Sequence, residues 1–533
     1  MYILAFFYGI IFVLGFLTNQ FSSAFEFAAY FIQDQGLFLL TGRLVVAGFG
    51  IATLVVVYKI ALRVSGNFTA AYIATLVAAI LAPMVLGSIV VKADVPAGFF
   101  VLLSVYYFLK TTDDTQSLKP LIIASLLSGV AMGTKYFGII LLPGFMLTQL
   151  FLKYDKQISW GNLLSRILLI ATLFVAGFFI VSPYNFLDSE WGPKLIRGVF
   201  KKLDPSVVEA GYNSDSRTFY QKGLGAIPGA LMDIFSKLPR SNFLGWPIVI
   251  LACAGFLGLL REKKFSPLFI LIMPIACYFG MAAFMVPYHV APRHLNAIFP
   301  FFCIFFGLGV YYLTSLFQLS KKIYIPVIIV IVCISIFPTA RLTKEEITYK
   351  LKSDSRVEAY KWIKNNIPKD SVILLDDCGP VLSQNQATAK RLLADLATFK
   401  EKDAFTAKQQ TYLELILKYP PDYGFDIYRL GHQWWLPEEL TDEELRSSAK
   451  HRDMSNPLVS RVPKRISEYQ KMGIQYIITN SRAQGFYEKG DIVSASFPSF
   501  TRFYGELEGQ KLIHKFDPAT FNGKGPIVFI YTL

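Results

Sequence analysis

Lys92 and Asp94 stand two residues apart in SIVVKADVPAGFFVLLSVYYFLK, a stretch otherwise compatible with lipid. A charge at the centre of a bilayer costs about 2.5–3.5 kcal/mol even on the lenient insertion scale. The pair therefore belongs at a membrane surface or in a site that does chemistry. A carboxylate can move a proton, and cations beside it can neutralise a phosphate. Pro96 follows at once, so Asp94 reads as a helix start, where a negative charge favours the positive helix end. A solvated cap with a snorkelling lysine accounts for the two residues equally well.

More residues of this kind follow the same logic. Arg43 lies just inside the start of an apolar run. Lys135 and Tyr136 lie between two short runs, and His289, Arg293 and His294 fall in VPYHVAPRHLNAIFPF. Each alone is explained as an interface anchor. Together they place cations and one carboxylate at helix ends, which is how a protein would hold a lipid-linked phosphate while keeping a carboxylate for proton work. Their spread over four turns implies a pocket between helices and not a linear basic patch. Other acids read as ordinary: Asp188 and Glu190 as loop charges, Asp113 and Asp114 as a solvated pair, Asp376 and Asp377 as strand-end acids that could also bind a metal. The aromatics of HQWWLPEEL could stack on a sugar, but a Trp pair in a domain core explains them as well. No GxxxxGKS, HExxH or GxSxG motif is present.

The elements that must position these residues follow from composition. The chain has 533 residues, 53% hydrophobic and 15% aromatic, with a mean hydropathy of +0.44. Residues 1–340 are mostly apolar runs, and residues 341–533 are mixed sequence. This reads as a polytopic α-helical membrane domain of about ten spans, followed by a small soluble α/β domain, with the split near Thr339–Lys344. Apolar runs lie at 37–58, 68–89, 95–110, 120–133, 136–152, 162–182, 244–260, 266–286, 294–317 and 323–340. The runs 120–133 and 136–152 are expected to pair tightly around Gly133-Thr134-Lys135. In the second domain, DSRVEAYKWIKNNIPKDSVILLDD reads as helix, turn and strand; KMGIQYIITN reads as a helix end and strand, and GPIVFIYTL as a final strand.

Loop charges set the orientation. Lys59 with Arg63, Lys110 with Lys119, Lys153 with Lys156, Arg261 with Lys263 and Lys264, and Lys321 with Lys322 fall at alternate loops. Placing them in the cytoplasm puts the Lys92/Asp94 turn, the Lys135 turn, residues 183–243, the 287–294 turn and the second domain on the opposite face. The net charge of +14 then reports cytoplasmic loops and not nucleic acid, since no basic segment is interleaved with aromatics. Five scattered cysteines form no CxxC or disulfide framework. The apolar start, Tyr2 to Leu17, has no basic leading region or cleavage site; residues 1–18 are expected to form a juxtamembrane helix.

At this point the order of motifs looks familiar: TGRLVVAGFGIATLVVVYKIALRVSG, VKADVPAGFFVLLSVYYFLK, SGVAMGTKYFGIILLP, VSPYNFLD, then APRHLNAIFPFF. Over roughly residues 1–340 the chain resembles the GT-C superfamily of integral membrane glycosyltransferases, in the branch around protein O-mannosyltransferases and aminoarabinose transferases. The resemblance implies an enzyme of the plasma or inner membrane. It would take a sugar from a polyprenyl phosphate and pass it, with inversion, to a lipid, protein or glycan acceptor outside the cytoplasm. It matches Asp94 to the acidic position of the second outer loop, Lys135 and Tyr136 to a turn facing the lipid phosphate, and Arg43 to the arginine opening the second family helix. Arg293 and His294 match an Arg-aromatic pair, here with His in the aromatic place. The resemblance also implies a first span and an acidic outer loop ahead of these motifs, with the usual base expected there, upstream of Met1; either the start is truncated or mis-assigned, or this copy lacks that base. The nearest acids, Glu26 and Asp34, sit in a different context.

Lys135, Arg43 and Arg293 are thus expected to hold the phosphate, and Asp94 to orient the acceptor or a divalent metal ion, the only cofactor the residues suggest. Two alternatives remain. A transporter or flippase of lipid-linked or small solutes predicts broken or charged helices near mid-membrane and inverted repeats. A non-catalytic subunit of an envelope-glycan complex predicts no activity of its own.

Overall fold

A computed structural model describes residues 2–112, 117–156, 158–187, 192–193, 208–213, 216–221, 227–240, 242–285, 292–317, 320–397, 404–431, 462–487 and 497–533. The chain forms two compact units. One comprises Met1–Tyr8, Leu37–Glu209 and Phe219–Ile347; the other comprises Gly9–Gly36, Ala210–Thr218 and Thr348–Leu533.

The first unit is helical. Its helices are α3 (Gly36–Ser65), α4 (Phe68–Ile80), α5 (Ala82–Ser88), α6 (Asp94–Lys110), α7 (Lys119–Thr134), α8 (Leu141–Lys156) and α9 (Trp160–Val181); before them, α1 (Tyr2–Leu17) is divided between the two units and α2 (Ala24–Gln33) belongs to the second. Helices over Ile227–Lys237, Trp246–Arg261, Phe265–Met285, Phe299–Leu316 and Lys321–Leu351 follow. Four described helices are long and apolar enough to cross a membrane, five if the bent α4/α5 pair is one span; Lys119–Thr134 and Trp246–Arg261 are among the shorter apolar ones. The protein is an integral membrane protein. Exposed Leu44, Ile51 and Val55 of α3, and Ile325, Ile329 and Phe337 of the last helix, suit contact with lipid tails. Buried Val57, Ile60, Leu81, Phe108, Phe145 and Phe306 join the helices into one core.

The last helix runs past the expected end of run 323–340, to Leu351. Residues 341–351 contain Arg, Lys, Glu and Leu and no glycine or proline, so nothing in them stops a helix. It ends where Asp354 starts the next helix.

Two local devices shape the end of the bundle that carries Asp94. First, α4 and α5 meet at a bend of 60°. Pro83 stands in the first turn of α5 and has no N–H to continue the α4 ladder. The groups freed at the break are satisfied by the last helix: Ala82 N–H donates to Thr339 Oγ1 at 3.0 Å, and Thr343 Oγ1 donates to the Ile80 carbonyl at 2.9 Å. A break inside lipid requires such partners. Second, α7 stops at Lys135, and a 3₁₀ turn, Tyr136–Ile140, folds back on it. A Cβ on Gly138 would come within 2.1 Å of the Met132 nitrogen, so only glycine permits this return. The pairing expected between the runs 120–133 and 136–152 is made by this turn alone; α8 itself packs mainly on α9 and on the helix Phe265–Met285.

In the second unit, β3 (Val372–Asp376), β4 (Asp426–Leu430), β5 (Tyr476–Asn480), β6 (Lys511–Phe516) and β7 (Val528–Thr532) form one sheet in the order β4-β3-β5-β7-β6; a separate two-stranded sheet pairs β1 (Val208–Asn213) with β2 (Ser216–Gln221). β3 is parallel to β4 and β5, while β7 is antiparallel to β5 and β6. The near-continuous burial of β3 and β5 follows from cover on both faces. The expected helix–turn–strand over 354–376 and the strands at 476–480 and 528–532 are present. α2 was not foreseen from the sequence: it packs Ile32 against the Leu392–Leu413 cluster, and Gln33 Nε2 donates to the Tyr419 carbonyl at 3.2 Å.

Candidate functional site

Asp94 is the first residue of α6, and Lys135 is the residue that ends α7. Forty-one positions apart in sequence, they form an ion pair between Lys135 Nζ and Asp94 Oδ1. The carboxylate side chain is 10% exposed and the lysine 29%. Asp94 is therefore not the solvated cap that the sequence also allowed. Its oxygen is taken by a cation from another helix, while its place at the α6 start still sets it at the positive helix end. Tyr278, 1% exposed in helix Phe265–Met285, lies within electrostatic reach of the carboxylate.

The surrounding turns meet at the same end of the bundle. Gly42 packs on Val91, bringing the Arg43 segment to the Lys92 turn, and Gly98 approaches the backbone of Ala297, three residues after His294. Arg43 and Lys92 are exposed, and their side chains make no hydrogen bond or ion pair with a described residue. Tyr136 is 48% exposed. Arg293 is exposed on the 3₁₀ turn Pro292–Leu295, which also carries His294 in its backbone. His289 lies outside the described residues, as do Asp113, Asp114, Asp188, Glu190 and the HQWWLPEEL segment. The structure thus joins two of the expected residues directly and sets four others, Arg43, Lys92, Tyr136 and Arg293, on the same or adjoining turns. At another end, Lys264 Nζ donates to the Val64 carbonyl at 3.2 Å, joining two of the loops expected in the cytoplasm.

The remaining acids have local work. Asp376, 3% exposed, accepts a hydrogen bond from Tyr504 Oη at 2.6 Å. Glu26 caps its own helix through Ser22, at 2.7 and 2.6 Å, and those bonds hold its carboxyl below the usual range. Asp34 Oδ1 accepts from Gly36 N–H at 2.8 Å. Among the described residues no three His, Cys, Asp or Glu side chains cluster as a metal site would need. The sequence reading missed Tyr278 and Asn296. Asn296 stands in the quoted APRHLNAIFPFF, and an amide in an apolar run was the signal available.

Residues 35–184 match the family described as dolichyl-phosphate-mannose-protein mannosyltransferase. Comparison with curated proteins gives no match. Among solved structures, the oligosaccharyltransferase of Archaeoglobus fulgidus is 12% identical over 93% of this chain and 61% of its own, with a TM-score of 0.48. ArnT from Cupriavidus metallidurans, bound to undecaprenyl phosphate, is 13% identical over 95% of this chain and 86% of its own, with a TM-score of 0.46. The chain spans about 61% of the length of the archaeal protein. The segment that carries Arg43, Lys92, Asp94, Lys135 and Tyr136 is therefore similar to a family of membrane glycosyltransferases, as the order of its motifs led one to expect.

Proposed function

We propose that the chain is a glycosyltransferase that moves a sugar from a polyprenyl-phosphate donor to an acceptor on the extracytoplasmic face of its membrane. One observation carries the reading: the Asp94–Lys135 pair, built from two helix ends within the family match. A donor phosphate at this turn would draw Lys135 toward itself, with exposed Arg43, Lys92 and Arg293 on the neighbouring turns. Lys135 then stabilises the charge that grows on the leaving phosphate as the bond from sugar C1 to phosphate oxygen breaks. Asp94, released from its partner, orients the acceptor hydroxyl whose oxygen forms the new bond to C1. The acceptor proton leaves to a base. The family name, with its dolichyl-linked mannose, supports a lipid-linked donor. The second unit lies on the acceptor side in this reading, following the loop charges.

The α4/α5 break favours a second reading, a transporter, because discontinuous helices build transport sites. The two separate on one assay. Purified protein in vesicles, given radiolabelled lipid-linked sugars and a membrane extract as acceptor, should yield a labelled product in wild type and none in Asp94→Asn. Movement of intact lipid-linked sugar across the bilayer without transfer would overturn the transferase reading. Neither transfer nor movement would leave the chain as a binding subunit.

A further inference from the structure

The end of α3 away from Arg43 carries a second concentration of cations. Residues 59–66 and 261–264 hold Lys59, Arg63, Arg261, Lys263 and Lys264 against one acid, Glu262. The two loops meet in space. Lys264 Nζ donates to the Val64 carbonyl of α3 at 3.2 Å and pairs with Glu262 Oε2 at 2.8 Å. Tyr312 Oη, from the helix Phe299–Leu316, also donates to Glu262 Oε2 at 2.8 Å. The acid and one lysine are thus spent inside the junction. Lys59, Arg261 and Lys263 stay exposed around it, and none of these three forms an ion pair with a described residue.

Two apolar stripes lead to this junction. On α3, Ile51, Val55 and Lys59 follow at intervals of four, so they lie one above the other on an exposed face that ends in the lysine. On α4, Phe68, Tyr72 and Leu76 make a second exposed face at the same interval. The turn Gly66-Asn67 joins the two helices, and the rings of Tyr58 and Tyr72 meet with centroids 5.2 Å apart, so the stripes flank each other near the turn. Cations at the mouth of apolar stripes suit an anionic lipid: the phosphate meets the cations and the acyl chains lie along the stripes. An uncharged lipid would leave the cations without use, and a free anion would leave the stripes without use. We infer that this end of the α3–α4 hairpin binds an anionic phospholipid of the cytoplasmic leaflet, with its phosphate on Lys59, Arg261 and Lys263 and its chains along Ile51, Val55, Tyr72 and Leu76. The leaflet follows from the loop charges. The site lies at the opposite end of α3 from the Arg43 turn, so its lipid is distinct from the proposed sugar donor, and the inference holds whichever activity the chain has.

The test is lipid binding to the full chain in a neutral detergent, read by native mass spectrometry. The probes are phosphatidylglycerol and phosphatidylcholine with identical chains. Wild type should bind its first phosphatidylglycerol about tenfold more tightly than phosphatidylcholine. Lys59→Gln and Lys263→Gln should each weaken phosphatidylglycerol roughly fivefold, the share of one cation beside a phosphate, and leave phosphatidylcholine unchanged. Lys119→Gln removes a cation from another loop expected in the cytoplasm and should change either affinity by less than about twofold. All three lysines are exposed, so the exchanges leave the packing alone. An equal loss in Lys119→Gln would mean diffuse attraction to any basic loop and overturns the site. So does a wild type with no preference between the two lipids, or no loss in Lys59→Gln and Lys263→Gln. Release of the bound lipid by millimolar inorganic phosphate overturns it too, because the chains would then have no part in binding.

Discussion

Lys135 and Asp94 reach each other across 41 residues because two helices are interrupted at the same end of the bundle: α7 stops at the lysine, and α6 starts at the aspartate. An ion pair this enclosed is weak evidence of stabilisation, because desolvation offsets much of the attraction. Its place is better explained by use. Asp94→Asn should lower sugar transfer by about 10²–10⁴-fold, the span of general acid–base and orienting effects, while the thermal midpoint of the purified protein changes little. The reversed pair, Asp94→Lys with Lys135→Asp, separates structure from chemistry. It should recover the midpoint lost in Lys135→Asp alone and stay inactive. Recovery of transfer by the reversed pair would reduce Asp94 and Lys135 to a structural clasp.

The loop charges predict opposite sides for the two ends of α6. Single cysteines at Lys92 and Lys110, in a chain stripped of its five native cysteines, should differ toward an impermeant thiol reagent in intact cells. Lys92→Cys should label from outside and Lys110→Cys only after permeabilisation. Labelling of both from one side would invert or break the proposed topology.

The close pass of α7 and α9 gives a third expectation. A Cβ on Gly177 would lie 2.2 Å from the Leu126 carbonyl oxygen, and one on Gly129 would lie 2.0 Å from that of Phe174. Backbone cannot yield as a side-chain tip does, so Gly177→Ala should destabilise the membrane unit by about 1–3 kcal/mol or more. Gly161→Ala, at the start of the same helix with nothing within 4 Å, should be neutral or mildly stabilising. Thermal unfolding in detergent compares the two.

Much of this architecture could be read from the residues. Runs of apolar sequence marked the helices because lipid contact and helix burial both select such residues, so α3, α6, α7 and α9 fall within a few positions of the runs at 37–58, 95–110, 120–133 and 162–182. Asp94 and Lys135 stood out because charge is rare there. Their mutual contact did not, since pairing between distant turns depends on helix order and rotation, which periodicity does not encode. Asn296 was harder: a neutral amide carries no charge signal, and only burial without a partner reveals it. α2 gave no clear signal, because its mix of Phe, Ala and a few polar residues suits either a loop or a short helix, and its packing partners, Leu392 and Leu413, lie more than 350 residues away.

Asp354 offers a pH-dependent test in the second unit. It is the N-cap of the helix Ser355–Asn366, accepting the Arg356 N–H at 3.0 Å, and it also takes Arg356 Nε at 2.9 Å and Nη2 at 2.8 Å. The Arg356 guanidinium holds its carboxyl below the usual range. A carboxyl with a lowered folded value binds its proton less readily folded than unfolded. Its contribution is therefore complete above the unfolded value, about pH 4, and fades as pH falls through the lowered one. At pH 7, Asp354→Ala should cost about 1–2 kcal/mol, chiefly the lost cap. Asp354→Asn should cost less, because an amide oxygen still caps while the charged part of the Arg356 contact is gone. Protection of the 355–366 amides against hydrogen exchange, corrected for intrinsic rates, reports both. The gap between wild type and Asp354→Ala should narrow below pH 4. A gap of constant size down to pH 2.5 would mean that the carboxylate charge contributes nothing and the helix is held by its packing alone.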